Sequence, residues 1–257
     1  MWRGSVRIAL IVAVFALAPG ARAQIQPLVT APVDLELVLA VDVSSSVDGE
    51  EFRLQMQGLA AAFRDPAVLG AIEIAGERGI AVALVQWSSW NAQRLSVDWM
   101  RIDDTASAAV MAGKIAAAPR FGDGGSTAIA GAIRFGVRQF EINPYEGTRR
   151  AIDISGDGAA NQGAQPSQYR DIAVASGITI NGLAILNDNA QLDVYYLSEV
   201  IGGNAAFIVR ATDYRDFAAA ILHKLVREIA GPPIAGLPPE QTATQTASVI
   251  PGGHNKK

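Results

Sequence analysis

The strongest constraint on the fold is an alternation: short β-rich apolar runs are interleaved with stretches whose apolar residues recur at helical spacing. That pattern specifies a mostly parallel sheet covered by helices on both faces. Strands are expected near Leu35–Val41, Ile80–Trp87, Arg94–Trp99, Arg150–Ile154, Thr179–Ile185 and Ala206–Val209. Between them, Asp48 with Glu51 reads as an N-cap and its third-position partner, opening a helix that carries Phe52, Met56, Leu59 and Phe63. Further helices are expected over Asp104–Ala118, Thr127–Phe140, Pro166–Ser176 and Gln191–Ile201, and a closing one over Asp213–Ala230 buries Phe217, Ile221, Leu225 and Ile229. The stretch VQWSSWNAQRLSVDW leaves only a polar turn between two strand-like runs, so one edge strand should be antiparallel. The expected class is α/β: a three-layer, doubly wound, mostly parallel six-stranded sheet with one antiparallel edge strand.

The ends of the chain read differently. Met1–Ala23 has the form of a secretory signal, with Arg3 and Arg7 before an apolar Ile8–Ala18 and an Ala21-Arg22-Ala23 cleavage site, so the mature chain is expected to begin at Gln24. An uncleaved anchor would need about 20 apolar residues, more than this core supplies. A short lead over 24–33 precedes one domain over 34–231, and residues 232–257, rich in Pro, Gly, Thr and Gln, read as a flexible tail. No cysteine occurs, which excludes disulfides, thiolate metal sites and a lipidated cysteine. Without Arg3, Arg7 and Arg22 the balance is 18 basic against 25 acidic residues, a net charge of −7, which argues against nucleic acid or anionic lipid as partner. A periplasmic or secreted protein with no later membrane span is expected.

The first strand ends in an unusual group of oxygens, Asp42-Val43-Ser44-Ser45-Ser46. Spacing of i, i+2 and i+4 in an extended or gently curved loop sends Asp42, Ser44 and Ser46 to one side and Ser45 elsewhere. Ligands of open parallel sheets bind beyond the carboxyl ends of the strands. Two more segments reach that end: GDGGSTAIAGAI, with Thr127 opening a helix, and RRAIDISGDGAANQG, with Asp157 after a strand. Asp42, Ser44, Ser46, Thr127 and Asp157 together offer two carboxylates and three hydroxyls. These are hard donors suited to Mg²⁺, with Mn²⁺ or Ca²⁺ as alternatives, and poorly suited to Zn²⁺ or Cu²⁺. The carboxylates balance the charge of the ion and the hydroxyls add none, so a further carboxylate can still be attracted.

This set, Asp-x-Ser-x-Ser with a distant Thr and a strand-end Asp157-Gly158, resembles the metal-ion-dependent adhesion site of von Willebrand factor A domains. The resemblance covers about Asp34 to Ala230. More narrowly, LELVLAVDVSSSVDGEEF, RAIDISGDGAANQG and DYRDFAAAILHKLVREIA are similar to a bacterial branch of exported proteins with this fold. The resemblance implies a module without enzymatic activity. It implies that the serines and threonine contact the ion directly or through water, that the aspartates act often through water, and that a partner protein supplies an Asp or Glu to complete the shell. It also implies movement of the loop after Phe121 and of the closing helix. Gly156 departs from the pattern, because the family usually has Thr before the last aspartate.

Other readings compete. Asp48 reads as a helix cap only, Gly122–Gly125 as a flexible loop, and nothing matches a phosphate-binding Gly-Lys-Ser/Thr pattern. Asp123 reads as a solvated loop acid rather than an outer carboxylate of the site. Asp153, inside a strand, needs a partner if buried, and Arg149 or Arg150 is the candidate. VLAVDVSSS and SGDGAANQG echo haloacid dehalogenase-like Mg²⁺-dependent phosphatases, but Ser44 stands where that chemistry needs a second acid and Asn161 where it expects Asp. A serine hydrolase lacks its nucleophile elbow here, and His223 and His254 read as solvated. A metal-free periplasmic scaffold is the remaining alternative. Trp87 and Trp99 read as core, and Trp90, in the hairpin turn, as a candidate contact for a protein partner.

Overall fold

The computed structural model describes residues 30–122 and 124–231. The signal and tail readings, Asp123 and His254 lie outside the described residues. Among those that are described, no helix is long and apolar enough to cross a membrane.

The chain runs β1 (Ala31–Asp42), α1 (Gly49–Ala62), α2 (Pro66–Ala75), β2 (Ile80–Trp87), β3 (Gln93–Ile102), α3 (Thr105–Ala117), α4 (Ile129–Ile142), β4 (Tyr145–Gly156), α5 (Pro166–Ala175), β5 (Ile178–Ile185), α6 (Leu192–Tyr195) with a π-helical turn over Tyr196–Val200, β6 (Ile208–Ala211) and α7 (Phe217–Ala230). The six strands form one sheet in the order β3-β2-β1-β4-β5-β6. All neighbours pair in parallel except β2 with β3, the edge hairpin.

A strand inside such a sheet is buried on both faces, which is why every residue of β1 from Val33 to Asp42 is buried. Leu35, Leu37, Leu39 and Val41 pack with Met56 and Leu59 of α1, Ile72 of α2, Met111 of α3 and Ile221, Leu225 and Ile229 of α7. On the other face Val38 and Ala40 meet Ile129 and Ile133 of α4, Ala173 of α5 and Leu192 of α6. Trp87 and Trp99 lie in this second core, while His223 is exposed on α7.

Local chemistry sets the helix starts. Asp48 accepts from the Glu50 and Glu51 amides and the Glu51 carboxylate accepts from the Asp48 amide, a complete capping box for α1. The sequence reading passed over α2, although Asp65 caps it and Pro66 occupies its first turn. The helix expected from Thr127 starts at Ile129, the closing helix starts at Phe217 rather than Asp213, and the last strand lies two residues later than expected.

Asp153 is buried, but neither Arg149 nor Arg150 serves it. Arg149 donates to the Glu228 and Ile229 carbonyls at the end of α7, and Arg150 to the Ser176 carbonyl. The partner is Lys224 of α7, whose Nζ lies 2.7 Å from Asp153 Oδ1 and 3.1 Å from Glu228 Oε2. Asn181 of β5 donates to the other Glu228 oxygen, closing a buried polar group inside the core.

The connection after β1 passes through α1 and α2 to β2 on one side, and that after β4 passes through α5 to β5 on the other. The crossovers therefore part between β1 and β4, which leaves a crevice at their carboxyl ends.

Candidate metal centre

Asp42 is the last residue of β1 and Asp157 follows the last residue of β4, so adjacent parallel strands deliver both carboxylates to that crevice. The turn after Asp42 folds back because the Ser44 amide donates to Asp42 Oδ1 at 2.7 Å. Ser46 Oγ then donates to Asp157 Oδ1 at 2.8 Å, Ser44 Oγ lies 3.2 Å from Ser46 Oγ, and Thr127 Oγ1 donates to Ser44 Oγ at 3.4 Å. The structure thus brings all five sequence-predicted residues together. Ser45 points the other way, as expected, with its hydroxyl accepting from the Gly125 amide.

Thr127 is held from two sides. Its amide donates to Asn161 Oδ1 at 2.8 Å and its carbonyl accepts from the Asn161 amide at 2.9 Å. The loop leading to it needs glycine: Gly125 has φ +125°, and a Cβ there would stand 2.5 Å from Ser89 Oγ. Ser89 Oγ accepts from the Ser126 amide, and the Ser88 carbonyl from the Ala128 amide, so the β2–β3 turn braces this loop. Sequence reasoning missed Asn161 in this role and missed Arg120, whose Nη2 donates to the carbonyls of Val43, Ser44 and Val47. Nothing local in the sequence marks Arg120, since its three acceptors lie more than 70 residues away in the chain.

The site fits a hard cation on three counts. An octahedral ion with bonds of about 2.0–2.1 Å needs neighbouring ligand oxygens about 3 Å apart, the spacing the Thr127, Ser44, Ser46 and Asp157 oxygens already have. Asp42 Oδ2 and Asp157 Oδ2 are buried with no hydrogen-bond partner, an arrangement that leaves donor lone pairs unsatisfied. Burial pushes the Asp42 carboxyl up to about 7, and the Asp157 charge adds to the rise, so a cation placed beside the two carboxylates would be favoured. Among the described residues no three His, Cys, Asp or Glu side chains are grouped as metal donors, so a metal held here would need hydroxyl donors as well. Ser46 is exposed, leaving one side of the group open to solvent.

Trp90 stands at the same end of the sheet, half-buried in the β2–β3 turn. Its ring meets Tyr169 edge-on at 5.6 Å, and the Arg134 guanidinium lies 4.3 Å from its centroid.

Comparison with known proteins places this geometry in context. The family model described as "Protein of unknown function (DUF1194)" matches residues 32–233. No curated protein matches the chain. Among solved structures, proximal thread matrix protein 1 of the mussel byssus, with zinc in its MIDAS motif, superposes with a TM-score of 0.56 at 14% identity over 79% of this chain and 47% of that one. A von Willebrand factor type A protein of Catenulispora acidiphila gives 0.54 at 15% identity over 76% and 43%. The vWF domain of the type V pili tip protein Mfa5 of Porphyromonas gingivalis gives 0.50 at 13% identity over 77% and 95%. The chain spans about half the length of the first two. These likenesses show a von Willebrand factor A fold.

Proposed function

The chain belongs to the DUF1194 family, and from its fold and site we propose that it is an exported, divalent-metal-dependent protein-binding module of adhesion or assembly. Asp42, Ser44, Ser46, Thr127 and Asp157 would hold the ion. One observation carries this reading: four oxygens from three separated chain segments are strung at 2.8–3.4 Å at the carboxyl ends of β1 and β4, with two bare carboxylate oxygens behind them. A bound ion supplies an electrophile that an Asp or Glu of a partner protein can ligate. The chain itself fixes the donors and keeps the charge of the site near neutral, and it leaves the Ser46 side open for the incoming carboxylate. Ser44 occupies the position where a phosphatase of that kind requires a second acid, which supports a non-enzymatic reading.

Support for Mg²⁺, with Mn²⁺ or Ca²⁺ as alternatives, comes from the all-oxygen donor set. Zinc in the MIDAS motif of the mussel protein means that zinc belongs in the same titration. The pilus and byssus settings of the similar structures agree with a place outside the cytoplasm. At the rim, the outward edge of Trp90 is the candidate aromatic contact for the partner.

Calorimetric titration of Mg²⁺, Mn²⁺ and Zn²⁺ into metal-stripped protein, beside Asp42→Ala and Thr127→Ala, tests the proposal. One-site binding by the wild type, lost in both variants, supports it. A folded wild type that binds no divalent ion overturns it in favour of a metal-free scaffold.

A further inference from the structure

Behind the five donors lie two buried tyrosines. Tyr196, in the π-helical turn after α6, is fully buried, and Tyr214, between β6 and α7, is 3% exposed. Neither hydroxyl has a hydrogen-bond partner, although a buried phenol ordinarily finds one.

Their surroundings identify the missing partners. A Cβ built at Gly156 would stand 2.8 Å from the Tyr196 hydroxyl and 2.9 Å from Asp42 Oδ2, so both oxygens face the gap left by the absent side chain. The Tyr214 hydroxyl lies against the Asp157 carboxylate. Two phenolic and two carboxylate oxygens are thus buried without partners, Tyr196 near Asp42 and Tyr214 near Asp157. In each pair the phenol carries a proton that it can give to the ionised carboxylate.

Resting on the metal-site reading above, we propose that Tyr196 and Tyr214 are positioning residues of the centre. The Tyr196 hydroxyl donates to Asp42 Oδ2 and that of Tyr214 to Asp157 Oδ2, directly or through one ordered water. Each carboxylate is then held at both oxygens, because Asp42 Oδ1 already accepts from the Ser44 amide and Asp157 Oδ1 from Ser46 Oγ. Such outer contacts fix ligand orientation. They also draw charge from the carboxylates without adding a cation, which leaves a bound ion more electrophilic toward a partner carboxylate. Glycine at 156 is part of the same device, since any side chain there would enter the gap between Tyr196 and Asp42.

The test compares wild type with Tyr196→Phe, Tyr214→Phe, Gly156→Ser and Tyr196→Phe/Gly156→Ser by Mn²⁺ calorimetry, by the electron paramagnetic resonance spectrum of bound Mn²⁺, and by thermal unfolding without metal. Both Phe variants should melt near the wild-type temperature when metal-free, yet bind Mn²⁺ about 10-fold more weakly, with an altered spectrum. Gly156→Ser should weaken binding when Tyr196 is present and restore it when Phe occupies 196, because the serine hydroxyl then fills the same gap. Unchanged affinity and spectrum in both Phe variants would overturn the inference while leaving the metal site intact. Absence of binding by the wild type itself would overturn both readings. If a Phe variant fails to fold, Gly156→Ser alone decides, and unchanged Mn²⁺ binding there counts against the proposal.

Discussion

Lys224 Nζ of α7 lies 2.7 Å from Asp153 Oδ1 in the middle of β4, with both side chains buried. A cation and an acid taken out of water together can be neutral or costly as a pair, but leaving one alone is costly in every case. Here the group contains one base and two acids, because Glu228 also contacts Lys224 at 3.1 Å.

Replacing Lys224 by Met removes the sole cation of that contact and leaves Asp153 and Glu228 facing each other in the core. The expected loss is about 3–5 kcal/mol of unfolding free energy near neutral pH, read by urea denaturation. The loss should shrink in acid, where the two carboxyls take up protons.

Asp153→Asn should act in the opposite sense. Burial raises the Asp153 carboxyl to about 6, against the pull of Lys224. The native state therefore binds this proton more tightly than the unfolded chain, whose carboxyl stays near 3.8. The contribution of the group is fully present below about pH 4 and is lost as pH rises through 6. Asparagine cannot ionise, so the variant should gain stability over wild type progressively between pH 4 and 6 and keep that gain above. Denaturation midpoints across this range check the sign, and a variant less stable than wild type at pH 7 would contradict the argument.

Arg120 ties three carbonyls of the Asp42–Val47 turn with one guanidinium nitrogen. Arg120→Ala should release Ser44 and Ser46 from their fixed spacing and weaken Mg²⁺ or Mn²⁺ binding by about 10-fold or more. Arg120→Lys should restore part of that loss, since all three bonds leave one nitrogen and an ammonium also carries several N–H donors on a single atom.

The sheet was legible because burial on both faces leaves uninterrupted apolar runs. Ile80–Trp87 was bounded correctly for that reason, with Gly79 before it and Ser88 after it. Asp42, Ser44 and Ser46 were legible as a group because their spacing is local, and Thr127 and Asp157 because glycines and strand ends flank them. Lys224 was not: a lysine on an amphipathic helix reads as solvated, and only the sheet packed beneath it supplies Asp153. Nothing local in the sequence marks Tyr196 or Tyr214; only the fold brings them near the carboxylates of Asp42 and Asp157. Arg120 is invisible for the same reason, since its acceptors meet it only through the fold.

The buried Lys224 contact also bears on how α7 can respond to a ligand. Resemblance implies that the loop after Phe121 and the closing helix both move. A one-turn slide of α7 would bring Ala220 or Glu228 opposite Asp153 in place of Lys224, leaving an acid with no base or facing another acid. Arg149 adds a second fastening at the far end, through the Glu228 and Ile229 carbonyls. In the loop before Thr127, Gly125 and Ser126 are held instead by the Ser45 and Ser89 hydroxyls near the surface. Saturation with Mg²⁺ should therefore slow hydrogen exchange of the amides from Gly124 to Thr127 while leaving those of α7 unchanged. In Lys224→Met, where the fastening is gone, exchange along Phe217–Ala230 should become sensitive to the metal. Exchange by mass spectrometry with and without Mg²⁺ reads both, and a metal-dependent change in α7 of the wild type would show that the buried contact does not hold the helix in place.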